Sequence, residues 1–241
     1  MDVNGDGFLD LVTVNDGQIV MGEEDSRREH IFLNNKGEKF INATDELWQD
    51  SENIGMDDNN IVFLDYDSDG DADFLISSLT GDDRLLENDG AGKFKLIQPV
   101  LKGSPTPLTL SIILGDINND KKMDIIMGQG EGIEGIEERI FIGKNINIDT
   151  AKPIISHFKT FENKENGSII VKARIHDNKS PNMPQDWKSV HLIIDEKPEP
   201  ISMTWYGENL WVASFSNVLK VNEIKICATD YSGNKKCLPI K

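Results

Sequence analysis

Apolar residues in this chain come in short runs, and what lies between the runs divides the chain in two. Ile61-Val62-Phe63-Leu64 and Phe74-Leu75-Ile76 flank one stretch of Asp, Ser and Gly; Leu110-Ser111-Ile112-Ile113-Leu114 and Ile125-Ile126-Met127 flank a second; Leu11-Val12 follows a third. Runs this short, bounded by turn residues, predict strands joined by acidic loops. A further strand ending in Asn or Gly follows each unit, at Ile31-Phe32-Leu33, Leu85-Leu86 and Ile140-Phe141-Ile142, and in the first two units a fourth follows around Phe40 and Phe94. Farther along, the pattern changes to strict alternation. Ile169, Val171, Ala173 and Ile175 interleave with Ile170, Lys172, Arg174 and His176, and Val190, Leu192, Ile194 and then Ile224, Ile226, Ala228 repeat the period. A period of two separated by Asn, Pro and Gly turns predicts a small antiparallel β-sandwich.

The acidic stretches are one motif written three times. Asp2-Val3-Asn4-Gly5-Asp6-Gly7-Phe8-Leu9-Asp10, Asp65-Tyr66-Asp67-Ser68-Asp69-Gly70-Asp71-Ala72-Asp73 and Asp116-Ile117-Asn118-Asn119-Asp120-Lys121-Lys122-Met123-Asp124 all read D-x-[DN]-x-D-x-x-x-D. Starts at residues 2, 65 and 116 give spacings of 63 and 51 residues, room for about four short strands, which is the period of a propeller blade. The fold class expected is all-β: a partial β-propeller of about three four-stranded blades over residues 1–148, then the sandwich over 149–241. The stretch from Asn145 to Pro153, where composition changes, is the expected linker.

Spacing also indicates what the loops hold. Oxygen-bearing side chains at positions 1, 3, 5 and 9 converge, because alternate residues face away, and position 7 adds a backbone carbonyl. An all-oxygen set suits Ca²⁺, a hard cation taking about six to eight oxygen ligands. The expected ligands are Asp2, Asn4, Asp6 and Asp10; Asp65, Asp67, Asp69 and Asp73; and Asp116, Asn118, Asp120 and Asp124. Position 6 needs a sharp turn, which Gly7 and Gly70 permit and Lys121 does not, so the second loop ranks as the strongest site and the third as the weakest. Asp, Asn and Gly also favour turns for local reasons alone, but three copies at matching places point to metal. An EF-hand would need Glu at position 12 and a helix after the loop; position 12 is Thr13, Ile76 and Met127.

With these loops, the strands after them and the segments Leu33-Asn34-Asn35-Lys36-Gly37-Glu38-Lys39-Phe40 and Leu86-Glu87-Asn88-Asp89-Gly90-Ala91-Gly92-Lys93-Phe94, residues 1–145 resemble the FG-GAP/VCBS repeat. That repeat builds the calcium-bearing blades of integrin α-subunit propellers and of exported bacterial proteins. The resemblance implies about three Ca²⁺, with Phe8, Asp71 and Lys122 as the carbonyl ligands. It also implies a secreted, periplasmic or cell-surface location and an extracellular protein or carbohydrate partner. Three repeats are fewer than the four to eight blades of a closed propeller, and the first lacks its leading strand. Upstream blades and a signal peptide are therefore expected in a parent protein, and Leu11, Val12, Ile31 and Leu33 are expected to lack a partner on one side. Residues 228–234 resemble, more loosely, the last hairpin of Ig-like or fibronectin-like modules.

Charge sharpens the division. Residues 1–150 carry 32 acidic and 12 basic side chains, residues 151–241 carry 10 and 13, and the whole chain sums to −17. So acidic a first region needs neutralising, which divalent cations would do, and it would repel a nucleic-acid backbone. No segment is apolar for long enough to insert in a membrane as a helix. Near the end, a three-residue turn at Tyr231-Ser232-Gly233 would set Cys227 opposite Cys237, a disulfide suited to an oxidising compartment; two free thiols are the alternative.

Enzyme signals are sparse. Gly130-Glu131-Gly132-Ile133-Glu134-Gly135 has dinucleotide-loop spacing, but its glutamates crowd the phosphate position. His30, His157, His176 and His191 are scattered, and Trp48, Trp187, Trp205 and Trp211 could stack on sugars or fill cores. The expectation is a calcium-binding extracellular binding or adhesion module with no catalytic residues assigned. The alternative is part of a secreted polysaccharide lyase or glycoside hydrolase, for which acidic pairs are abundant.

Overall fold

The computed structural model describes residues 1–16, 28–49, 56–97, 108–120, 122–130, 139–142, 149–177, 183–195, 198–216 and 223–240. Its regular structure is almost entirely antiparallel β. The first sheet orders β1 (Leu11–Thr13), β2 (His30–Asn34) and β3 (Phe40–Asn42), with a one-turn helix α1 (Thr44–Leu47) after it. The second orders β4 (Asp58–Leu64), β5 (Asp73–Ser78), β6 (Arg84–Asn88) and β7 (Phe94–Ile97). The third contains β8 (Thr109–Gly115), β9 (Asp124–Gln129) and β10 (Arg139–Phe141), in the order β10-β9-β8. Each strand expected from an apolar run over residues 1–142 is present, and none of the sheets closes on itself.

The three sheets stack face to face. Val12 and Ile31 of the first pack with Phe74, Ile76 and Leu86 of the second, around Trp48. Leu75 and Leu85, on the second sheet's other face, pack with Ile112 and Met127 of the third. Burying two apolar faces is why β5 reads as an unbroken apolar run instead of an alternation. The expectation for the first sheet is thereby corrected. Val12 and Ile31 are buried and Leu33 partly so, because their face meets the second sheet; Leu11, on the opposite face, is 47% exposed. Polar side chains also tie the stack: buried Arg84 of β6 pairs with Asp58 of β4 and with Glu29, 3.4 Å away, just before β2.

The remaining strands are β11 (Ile154–Glu162), β12 (Ser168–His176), β13 (Trp187–Ile194), β14 (Ile201–Ser202), β15 (Thr204–Gly207), β16 (Leu210–Ser216), β17 (Ile224–Asp230) and β18 (Lys235–Pro239). They form two four-stranded sheets, β11-β12-β16-β15 and β14-β13-β17-β18, which share one core. Val171, Ala173 and Ile175 point into it, as the alternation requires, alongside Leu192, Ile194 and Ile226 and an edge-on Trp187–Trp211 pair. Trp48, Trp187 and Trp211 are thus core residues, and the half-buried Trp205 donates its indole N–H to the Glu208 carbonyl, so the four do not form a surface platform. At the last hairpin Gly233 has φ +92°, Asp230 N–H donates to the Asn234 carbonyl at 3.1 Å, and Cys227 opposes Cys237. The two cysteines form a disulfide with Cα atoms 4.1 Å apart. No described helix is long and apolar enough to cross a membrane.

The other face of β12 carries Lys172, Arg174 and His176, and all three are buried. Alternation predicts a second face but not what covers it. The cover is the first two acidic loops.

Candidate metal centres

Each acidic loop links two neighbouring strands or precedes one, and its backbone is shaped by its own side chains. At position 9, Asp10, Asp73 and Asp124 each accept the N–H of the position-2 residue: Val3 at 2.8 Å, Tyr66 at 2.7 Å and Ile117 at 2.7 Å. The second oxygen of Asp10 accepts Asn34 N–H at 2.8 Å, and that of Asp73 accepts Asn88 N–H at 2.7 Å. At position 5, Asp6, Asp69 and Asp120 each accept the position-7 N–H at 2.9, 3.0 and 2.9 Å. At position 1, Asp2 and Asp65 accept the N–H of Gly7 and Gly70 at 3.0 and 3.1 Å, while Asp116 accepts that of Asp120 at 3.0 Å. These local bonds favour turns over a continued strand. Gly7 and Gly70 have φ of +88° and +94°, as the sharp turn at position 6 requires, whereas Lys121 lies outside the described residues. Position 4 is left-handed too, at Gly5, Ser68 and Asn119.

Among the described residues, the acidic side chains that the sequence singles out meet as a group of three in the second loop and not in the first or the third. In the second loop, ligand oxygens of Asp65, Asp67 and Asp73 lie within 4.8 Å of one another. Asp69, in the same loop, is exposed, with one oxygen on the Asp71 amide. The third loop repeats the turn with Asp124 buried and Asn118 exposed.

Burial makes this concentration of negative charge costly. Burial is the leading cause raising Asp65 to about 6 and Asp73 to about 7. Asp10 is likewise raised to about 6, again mainly by burial. Asp71 rises to about 8, by burial and then by the charges of Asp69 and Asp73. Its carboxyl is 3% exposed and neither oxygen has a hydrogen-bond partner. An all-oxygen donor set, carboxylates driven toward neutrality and an orphaned buried carboxyl beside them together fit a hard divalent cation. Asp71 was expected to offer only its backbone carbonyl; the burial of its side chain was not legible from its place in the motif.

Strand β12 lies across the first two loops. Lys172 Nζ donates to the Gly7 carbonyl and sits 4.3 Å from the Phe8 ring centroid and 4.7 Å from that of Tyr206. Arg174 donates to the Asp2 carbonyl at 2.7 Å. The His176 ring covers Gly70, with Nδ1 3.7 Å from Asp65; burial, and then Arg174, lower its pKa to about 4, so it packs as a neutral ring. Within the bulge between Ser156 and Lys159 in β11, the His157 ring rests against Gly5. The charge split between the two regions is the sequence signal for this docking; the pairing itself leaves no mark in the local pattern.

A second acidic group, Asp149, Asp177 and Asp230, has oxygens within 4.8 Å of one another, but both Asp230 oxygens are held by Asn234 at 2.8 and 2.9 Å. Residues 131–135 of the glycine-rich stretch lie outside the described residues. Against known families, a model described as an FG-GAP-like repeat matches residues 2–76 and, overlapping, 65–127. No curated protein matches the chain.

Proposed function

Because the chain belongs to the FG-GAP-like repeat family, we propose that residues 1–148 are a calcium-stabilised module of β-propeller type, carrying an Ig-like sandwich at 149–241, and that the protein acts outside the cytoplasm as a binding or adhesion module. The observation that carries this reading is the same oxygen-rich turn made three times, with a buried, unpartnered carboxyl beside the second. Asp2, Asn4, Asp6 and Asp10, Asp65, Asp67, Asp69 and Asp73, and Asp116, Asn118, Asp120 and Asp124 would hold the ions, with the carbonyls of Phe8, Asp71 and Lys122. Calcium would add positive charge to what Lys172 and Arg174 bring to the first two loops. The strand orders β11-β12-β16-β15 and β14-β13-β17-β18 support the Ig-like reading, since they match the A-B-E-D and C′-C-F-G sheets of that class. The bridge at Cys227–Cys237 departs from it, joining the last two strands instead of the two sheets. A disulfide supports an oxidising, secreted, periplasmic or cell-surface setting.

Thermal melting in EDTA and in millimolar Ca²⁺ tests the reading. Calcium is expected to raise the transition temperature, with Mg²⁺ a poor substitute because its smaller octahedral shell dehydrates reluctantly. An unchanged melting temperature would remove calcium from the account.

A further inference from the structure

Strand β12 meets the first two acidic loops with side chains of different charge. Lys172 and Arg174, both buried, lie on the first loop, and the neutral His176 ring lies on the second. The carboxylates Asp2, Asp6 and Asp10 of the first motif therefore meet two fixed cations. Asp65, Asp67, Asp69, Asp71 and Asp73 of the second meet an uncharged ring and, at the border, Arg174, which lines one cavity with Asp2, Gly70 and Ala72.

The Lys172 ammonium is fixed in place by three rings, with centroids at 4.3 Å for Phe8, 4.7 Å for Tyr206 and 5.6 Å for Phe161. Burial disfavours its charge, and the charges of Asp2 and then Asp6 favour it. Neither cation takes an oxygen expected to face the ion. Lys172 donates to the Gly7 carbonyl, at position 6, and Arg174 to the Asp2 carbonyl, at position 1, whereas the expected carbonyl ligand is Phe8, at position 7. An ion and the two cations can therefore be present together and act on one another through charge. The turn that presents the gripped carbonyls is closed by Asp2 on the Gly7 amide, Asp6 on the Phe8 amide and Asp10 on the Val3 amide. An ion adds little order there, so repulsion decides the sign of the coupling.

We propose that Lys172 and Arg174 are built-in competitors of calcium at the first loop. They supply from within the chain part of the charge that the ion would bring, and they make this loop a weaker calcium site than its ligand set alone would. The proposal rests on the calcium reading above and adds its regulation, since docking of the C-terminal sandwich opposes occupancy of the first loop. Linkage makes the effect reciprocal: calcium there loosens the grip of Lys172 by the factor by which Lys172 weakens calcium. At the effective dielectric near a protein surface, a divalent ion and an ammonium on the same turn repel enough for a factor of about ten.

Calorimetric titration of the decalcified full chain with Ca²⁺ is the test, with far-UV circular dichroism confirming the fold of each variant. Asp6→Ala identifies the first-loop step as the one it removes. Lys172→Gln keeps a donor for the Gly7 carbonyl and drops the charge, so that step should tighten by about tenfold. Arg174→Gln, which also keeps a donor, should act in the same direction, and Lys172→Arg, which keeps the charge, should leave the step unmoved. Urea unfolding gives a second measurement. By linkage, Lys172→Gln should lower the unfolding constant's margin more in EDTA than in millimolar Ca²⁺, by the same factor of about ten. A first-loop step that is unmoved or weaker in both Gln variants, or a cost in EDTA no greater than in Ca²⁺, overturns the proposal. Calcium steps indifferent to Lys172 sink the competition alone. No calcium heat and no calcium-dependent urea midpoint in any variant would sink the calcium reading, and the competition with it.

Discussion

Replacing Gly70 by Ala puts a methyl group where β12 rests on the second acidic loop. Gly70 has φ +94°, and an added Cβ would come within 2.7 Å of His176 Cε1 and closer still to two other ring atoms. Left-handed backbone costs a residue with a Cβ about 1–2 kcal/mol. Overpacking adds about 1–3 kcal/mol when the neighbour cannot retreat, and His176, 1% exposed between the loop and its own sheet, has nowhere to go. Gly70→Ala should therefore lose roughly 2–5 kcal/mol. Gly37→Ala is the control. It has a similar φ of +82°, but nothing lies within 4 Å of its added Cβ, so only the backbone share of about 1–2 kcal/mol remains. Urea unfolding at fixed calcium, followed by tryptophan fluorescence, measures both; Trp48 reports on the repeat core and Trp187 and Trp211 on the C-terminal core. Equal losses from the two variants would mean that His176 does not press on Gly70, and the docking of β12 on the loops would fall with it.

Three further outcomes are expected. Calorimetry should find that Asp69→Ala removes tighter calcium binding than Asp120→Ala, and equal losses would contradict the ranking of the loops. Burial first, and then hydrogen bonding to Asp58, raise Glu29 from 4.5 to about 8, so the folded chain keeps a proton that the unfolded chain has released. Stability in EDTA should accordingly fall as pH rises from about 4.5 to about 8, and Glu29→Gln should flatten that slope in urea titrations; an unaltered slope would refute the assignment. Replacing Cys227 and Cys237 by Ser should lower unfolding free energy by about 2–3 kcal/mol, given the short loop of 10 residues' separation; an unchanged urea midpoint would show that the bridge constrains nothing.

Much of the repeat region could be read before any coordinates, because each acidic motif sits between apolar runs too short for helices. Counting across Tyr231-Ser232-Gly233 located the disulfide for a similar reason: hairpin register follows from loop length. What could not be read was contact between distant segments. Lys172, Arg174 and His176 have the spacing of a solvent-facing row, and their burial depends on acidic loops far away in sequence. Asn34 and Asn88 stand as ordinary strand-end residues in the sequence, yet their amides brace Asp10 and Asp73. Leu11 and Val12 are equally apolar neighbours, and which one is buried depends on the side from which the next sheet arrives. Ser68 and Asn119 adopt the same left-handed turn as Gly5, a preference the motif hides by varying the residue.

The reach of β12 back to the first loop also bears on synthesis. Lys172 contacts Gly7 across a separation of 165 residues, and Arg174 contacts Asp2 across 172. At about 5–20 residues per second, the first loop leaves the ribosome roughly ten to thirty seconds before its covering strand exists. During that interval its carboxylates stand in water, fully hydrated and free of the desolvation they meet in the finished fold. The covering strand comes from the second half of the chain, and an ion already seated in the loop when it docks would be closed in beneath it.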